Sequence, residues 1–216
     1  MPIILPDALP AAKALRADNI FVMSPTRAAR QDIRPLELLV VNLMPEKIAT
    51  ETQLCRVLSG TPLQVRMTFV RTGSHESHHT PAQHMGAFYH TLDEIEGNRY
   101  DGMIITGAPI ELLDYEDVDY WPEFLRFLEF GRTHAYSVIH LCWAGMAALW
   151  HRYGIAKQRL PEKLHGVFEH RITRPKNPLM RGLDERFWVP HSRQAQVDRQ
   201  AVEATPGLRI LAESEE

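Results

Sequence analysis

Cys142 is the side chain whose type and setting say most about chemistry. It stands between an apolar run, Ser137-Val-Ile-His-Leu141, and a stretch of helical spacing that begins Trp143-Ala-Gly-Met. In an open parallel sheet ligands bind beyond the carboxyl ends of the strands, so a nucleophile on such a strand-to-helix turn faces the crevice. The helix N-terminus behind it favours a thiolate and offers backbone N–H groups to a developing oxyanion. Ala144 and Gly145 are as small as a tight elbow requires, although His140 and Ala144 occupy the places where such elbows usually carry glycine. A buried structural cysteine is the competing reading. Cys55 falls with Leu54 and Leu58 on one side of a helical pattern and reads as core.

Three other clusters bear on chemistry. His75-Glu-Ser-His-His79 matches H-E-x-x-H, a pattern that needs both histidines one turn apart on a helix. Thr72-Gly-Ser and Thr80-Pro81 bracket it with turn residues, so it reads as a polar loop, and no metal is expected. Thr106-Gly-Ala-Pro-Ile-Glu-Leu112 follows an apolar run and is either a plain connection or a loop whose amides complete an oxyanion hole. Glu111 within it would repel an anionic substrate. Glu162-Lys163 and Pro190-His-Ser-Arg193 each read as solvated loops in isolation. Together with Cys142 they suit an amino-acid pocket, with lysine for a carboxylate, serine for an amine or hydroxyl, and arginine as an anion clamp.

The elements that must position these groups alternate. Short Val-, Ile- and Leu-rich runs at 36–43, 64–70, 102–106 and 137–141 predict buried strands. Helical spacing over 45–58, 81–95, 121–134 and 143–153 predicts helices between them. This is the pattern of an α/β protein with a mostly parallel sheet. Shorter strands are predicted at 166–173, 187–189 and 208–212, and residues 1–35 read as an irregular arm. The chain has 216 residues and a formal charge of −3, which argues against a nucleic-acid binder because phosphate affinity needs a surplus of basic residues. Two cysteines do not make a disulfide scaffold, and Pro6, Asp7 and Pro10 interrupt the first apolar stretch. A soluble cytoplasmic protein without membrane contact is therefore expected.

Several multi-residue motifs occur together: Asn42-Leu-Met-Pro-Glu-Lys47, Thr80-Pro-Ala-Gln-His84, Thr106-Gly-Ala-Pro109, Tyr120-Trp-Pro122, Cys142-Trp-Ala144, Glu162-Lys163-Leu-His-Gly-Val-Phe-Glu-His170 and Pro190-His-Ser-Arg193. In order and spacing they resemble the homoserine O-acyltransferases of the homoserine succinyltransferase type, from one end of the chain to the other. The resemblance implies a flavodoxin-like fold similar to class I glutamine amidotransferases, with helices on both faces of a mostly parallel sheet. Residues 1–35 would be an arm packing on the core, and 36–216 the acyltransferase domain. It further implies acylation of the homoserine hydroxyl, at the start of methionine biosynthesis, by a ping-pong route through a Cys142 thioester. By the same resemblance the amides of Leu112 and Trp143 are oxyanion donors, Lys163 and Ser192 contact substrate, and Lys47 is a weaker candidate for contacting coenzyme A. Position 111 separates donors in the family, glycine with succinyl-CoA and glutamate with acetyl-CoA, so Glu111 favours acetyl-CoA.

Apart from the acyl-CoA co-substrate no cofactor is implied, and a homodimer is compatible with the resemblance. Family members continue past the segment matching Leu208–Glu216 into a Gly-His-Pro-Glu type motif with the histidine base and its glutamate, then a substrate-binding arginine. The chain as written is expected to be incomplete at its C-terminus and weakly active or inactive. Succinyl-CoA as donor, serine as acceptor, a cysteine hydrolase or amidotransferase, and a non-catalytic binding domain are the alternatives.

Overall fold

The computed structural model describes residues 2–75 and 79–215. It divides into two compact units, Met1–Pro109 with Tyr115–Gly145, and Ile110–Asp114 with Met146–Glu216. Among the described residues no helix is long and apolar enough to cross a membrane.

The first unit runs β1 (Ile3–Ile4), α1 (Pro10–Ala17), β2 (Val22–Met23), α2 (Pro25–Ala28), β3 (Leu36–Val41), α3 (Lys47–Leu58), β4 (Val65–Val70), α4 (Ala82–Phe88), β5 (Tyr89–His90), α5 (Leu92–Ile95), β6 (Gly102–Ile105), α6 (Trp121–His134), β7 (Val138–His140) and the start of α7 (Trp143–Tyr153). Its strands form one parallel sheet ordered β2-β1-β4-β3-β6-β7, with β5 pairing to β4. β3 is central, with Leu36–Val41 in register with Val65–Val70 on one side and Leu38–Val41 with Gly102–Ile105 on the other. All of β6 is buried, which is why Gly-Met-Ile-Ile reads as an unbroken apolar run. Since the strands are parallel, the segments that follow β3, β6 and β7 emerge at the same edge.

Two expectations are corrected in this unit. Residues 1–35 are no irregular arm: Leu5, Leu9 and Leu15 are core residues, and β1 lies between β2 and β4 inside the sheet. Strands of two residues are too short to show a period in sequence. The helix expected over 81–95 is two helices, because Thr91 and Glu94 form a capping box that starts α5 after an extended Tyr89-His90. In α3 Cys55 is buried with Leu54 and Leu58 packed against the core, as expected, and the buried stripe continues through Glu51 and Lys47, one turn apart, which hydropathy does not mark.

The second unit contains the rest of α7, β8 (Lys157–Ile172), β9 (Arg186–Val197), α8 (Arg199–Ala204) and β10 (Ala212–Glu213). Its sheet is antiparallel, ordered β10-β8-β9. The short strands expected at 166–173 and 187–189 are the ends of a long hairpin. Lys157–Leu164 gives no strand signal in sequence because the run is polar and carries Pro161, and a register break falls between Arg159 and Leu164.

Candidate active site

Cys142 lies two residues beyond β7, immediately before α7, and is exposed. Its backbone is left-handed, with φ 51°, a conformation that costs a residue with a Cβ about 1–2 kcal/mol. Neither cysteine forms a disulfide, and Cys55 is buried in the core, where burial and then the charge of Glu51 push its thiol up to about 12. Two glycines permit the elbow. A Cβ on Gly107 would stand 3.0 Å from Cys142 Cβ and 3.6 Å from its Sγ, and one on Gly145 would stand 3.3 Å from the His140 carbonyl oxygen.

The first turn of α7 closes behind the thiol, with Ala144 N–H donating to the Leu141 carbonyl (3.1 Å) and Gly145 N–H to that of Cys142 (3.0 Å). The Trp143 amide is the first of the helix, a position whose N–H has no intrahelical acceptor. Its indole is fully buried against Phe124 (ring centroids 5.0 Å apart), with Tyr115 and Tyr120 at 6.2 Å, and so anchors the elbow to α6. Thr106, also buried, receives the Leu43 N–H on Oγ1 at 2.8 Å and donates to the Gly107 carbonyl at 3.2 Å. The chain after β3 is thereby tied to the chain after β6.

Lys47 is 8% exposed, and its Nζ donates to the carbonyls of Asn42 (2.7 Å) and Met44 (3.1 Å). Glu51, Tyr89 and His84 lie in the same buried region; none is suggested by hydropathy, and the only sequence signal for Glu51 is its spacing of four from both Lys47 and Cys55.

The other expected site residues belong to the second unit. Glu111 is half-buried and Leu112 exposed in a turn closed by Leu113 N–H donating to the Ile110 carbonyl at 3.1 Å. The start of β8 holds that turn: Arg159 donates to the Leu112 carbonyl at 2.6 Å and Lys157 to that of Leu113. Neither Lys157 nor Arg159 belongs to a motif that would mark it in the sequence. Ser192 is the cross-strand partner of His165, and Lys163 lies two residues before His165, at the end of the register break. The hairpin thus brings Lys163 and Ser192, both exposed, to one stretch of adjacent strands.

His75 Nδ1 and Asp119 Oδ2 are 2.6 Å apart, and His79 Nδ1 is 3.6 Å from Glu46 Oε1. Glu76, Ser77 and His78 of the H-E-x-x-H pattern lie outside the described residues.

A model of the homoserine O-succinyltransferase family matches residues 2–216. Proteins named homoserine O-acetyltransferase from Desulfovibrio desulfuricans, Clostridium acetobutylicum and Thermotoga neapolitana are 54%, 51% and 50% identical over the whole chain, which covers 69%, 72% and 71% of their lengths. Among solved structures, a candidate GMP synthase component from Thermoplasma acidophilum aligns with a TM-score of 0.56. The alignment covers 84% of this chain and 74% of that protein at 15% identity, a likeness of fold. The parallel sheet is accordingly that of the α/β folds similar to class I glutamine amidotransferases.

Proposed function

The chain belongs to the homoserine O-succinyltransferase family and is an acyltransferase; from that premise we propose that it moves an acetyl group from acetyl-CoA to the side-chain hydroxyl of L-homoserine through a thioester on Cys142. The observation that carries the reading is the Cys142 elbow, an exposed thiol in a left-handed conformation between a parallel strand and a helix N-terminus. Strain of this kind persists where the surroundings enforce it, and it clusters at functional sites.

In the first half-reaction the thiolate of Cys142 attacks the thioester carbonyl. The Trp143 amide at the N-terminus of α7 stabilises the oxyanion, the bond from carbonyl carbon to coenzyme A sulfur breaks, and coenzyme A leaves. In the second half the homoserine hydroxyl gives its proton to a base as its oxygen attacks the acyl-cysteine. The ester forms and the thiolate returns. We assign the second oxyanion donor to the Leu112 amide and substrate contacts to Lys163 and Ser192, whose placement on adjacent strands of the β8–β9 hairpin supports a shared role. Glu111 selects the acetyl donor, because its carboxylate repels the free carboxylate of a succinyl group. We place the reaction at the start of methionine biosynthesis, in the cytoplasm, where a catalytic thiol stays reduced.

Intact-protein mass spectrometry after mixing with acetyl-CoA or succinyl-CoA tests this. The expected result is an acetyl adduct on the wild type and none on Cys142→Ala. Absence of an adduct with either donor would overturn the thioester route, and a dominant succinyl adduct would overturn the choice of donor.

A further inference from the structure

The buried polar groups that the proposed chemistry leaves unused are concentrated in one network of the first unit. Glu51, fully buried, accepts from Tyr89 Oη at 2.6 Å and from His84 Nε2 at 2.9 Å. Tyr89 Oη in turn accepts from Asn42 Nδ2 at 2.8 Å. Asn42 Oδ1 accepts the Met44 N–H at 3.2 Å, and Lys47 Nζ bonds the Asn42 and Met44 carbonyls. Thr80 Oγ1 donates to the Pro45 carbonyl at 3.3 Å. Every bond ends on, or leads to, the short connection between β3 and α3.

An apolar core of the same volume would hold the fold at least as well as buried charges do. What the network adds is a single conformation for residues 42–47, and that conformation has a neighbour. The Leu43 N–H is placed on Thr106 Oγ1, and the residue after Thr106 is Gly107, which packs so closely on Cys142 that no Cβ fits between them without a shift.

The geometry points to a positioning role: Lys47, Glu51, Tyr89 and Asn42 clamp the chain after β3, and Thr106 passes that constraint to Gly107 and the Cys142 elbow. This inference rests on Cys142 being the nucleophile. It gives Lys47 a role inside the protein in place of a contact to coenzyme A, and it gives Asn42-Leu-Met-Pro-Glu-Lys47 and Thr80-Pro-Ala-Gln-His84 a shared part in holding the connection after β3.

The test is the rate of Cys142 alkylation by iodoacetamide across pH, read by mass spectrometry on the full chain, alongside the KM for acetyl-CoA. Thr106→Val keeps the side-chain volume and removes the acceptor of the Leu43 N–H without entering the network. Tyr89→Phe removes one hydroxyl, and Lys47→Met removes the clamp. Each is expected to slow alkylation roughly five- to tenfold, the equivalent of about one hydrogen bond, and to move the pH midpoint, with KM unchanged. If Lys47→Met raises KM tenfold and leaves the alkylation profile as in wild type, the contact reading replaces this one. If Thr106→Val alkylates like wild type, or the variants lose only thermal stability, the coupling to Cys142 is overturned. A wild-type Cys142 that takes no acyl group would instead defeat the nucleophile reading, while the comparison of alkylation profiles would still decide the clamp.

Discussion

At the scale of single residues, Cys142 combines exposure with an unfavourable backbone. Replacing it by glycine removes the left-handed penalty and by alanine keeps it, so Cys142→Gly is expected to be more stable than Cys142→Ala by about 1 kcal/mol in denaturant unfolding. Glu111→Gly is expected to raise succinyl-CoA use relative to acetyl-CoA at least tenfold; an unchanged ratio in competition assays would remove the electrostatic argument for donor choice. Lys47 gives a pH signature. Burial, aided by Arg71 and opposed by Glu51, lowers its amine from 10.5 to about 8. Between about pH 8 and 10.5 the unfolded chain keeps a proton that the folded chain has released, so stability rises with pH across that window. Below it both states are protonated and the contribution is flat. Measured against Lys47→Met, the wild type should gain on the order of 2–3 kcal/mol from pH 8 to 10.

At the scale of elements, the elbow depends on packing at a distance from the thiol. Trp143 places its indole among Phe124, Tyr115 and Tyr120, so the start of α7 is fixed by α6 and by the segment preceding it. Trp143→Ala is expected to cost about 3–5 kcal/mol in chemical unfolding and to abolish acyl-enzyme formation, because the cavity releases the helix end that carries the Trp143 oxyanion amide. Helical spacing over 121–134 revealed α6 as it stands, since its phenylalanines recur on one face. The same reasoning found α3 and the inward side of Cys55, Leu54 and Leu58 but missed Lys47 and Glu51; a period read from hydropathy cannot see buried charged residues. It also ran α4 and α5 together, because the intervening Tyr89-His90 joins the sheet through pairing with Phe69-Val70, a contact remote in sequence.

At the scale of the whole molecule, the two units differ in how their backbone is protected. Leu39–Val41, Val70 and Met103–Ile105 are buried in the parallel sheet, whereas most of the β8–β9 hairpin is exposed or half-exposed. Hydrogen exchange should therefore be slowest in β3, β4 and β6 and clearly faster in β8 and β9; equal protection would contradict the division. The parallel sheet was legible in the sequence because strands buried on both faces must be apolar throughout, and Cys142 was legible because it interrupts such a pattern at a strand end. Residues 1–35 were not, since β1 and β2 are two residues each and gain their place only from neighbours. The hairpin that carries Lys163 and Ser192 was half legible, because its exposed strand lacks an apolar period and its register is set between residues far apart in the chain. The sequence by itself determined the alternating elements, the thiol at the turn and the motifs of the family. Only the tertiary structure decided that Glu51, His84 and Tyr89 close on Asn42 and Lys47, because hydrogen bonds between residues dozens of positions apart depend on where the backbone brings them, and local pattern carries no record of that.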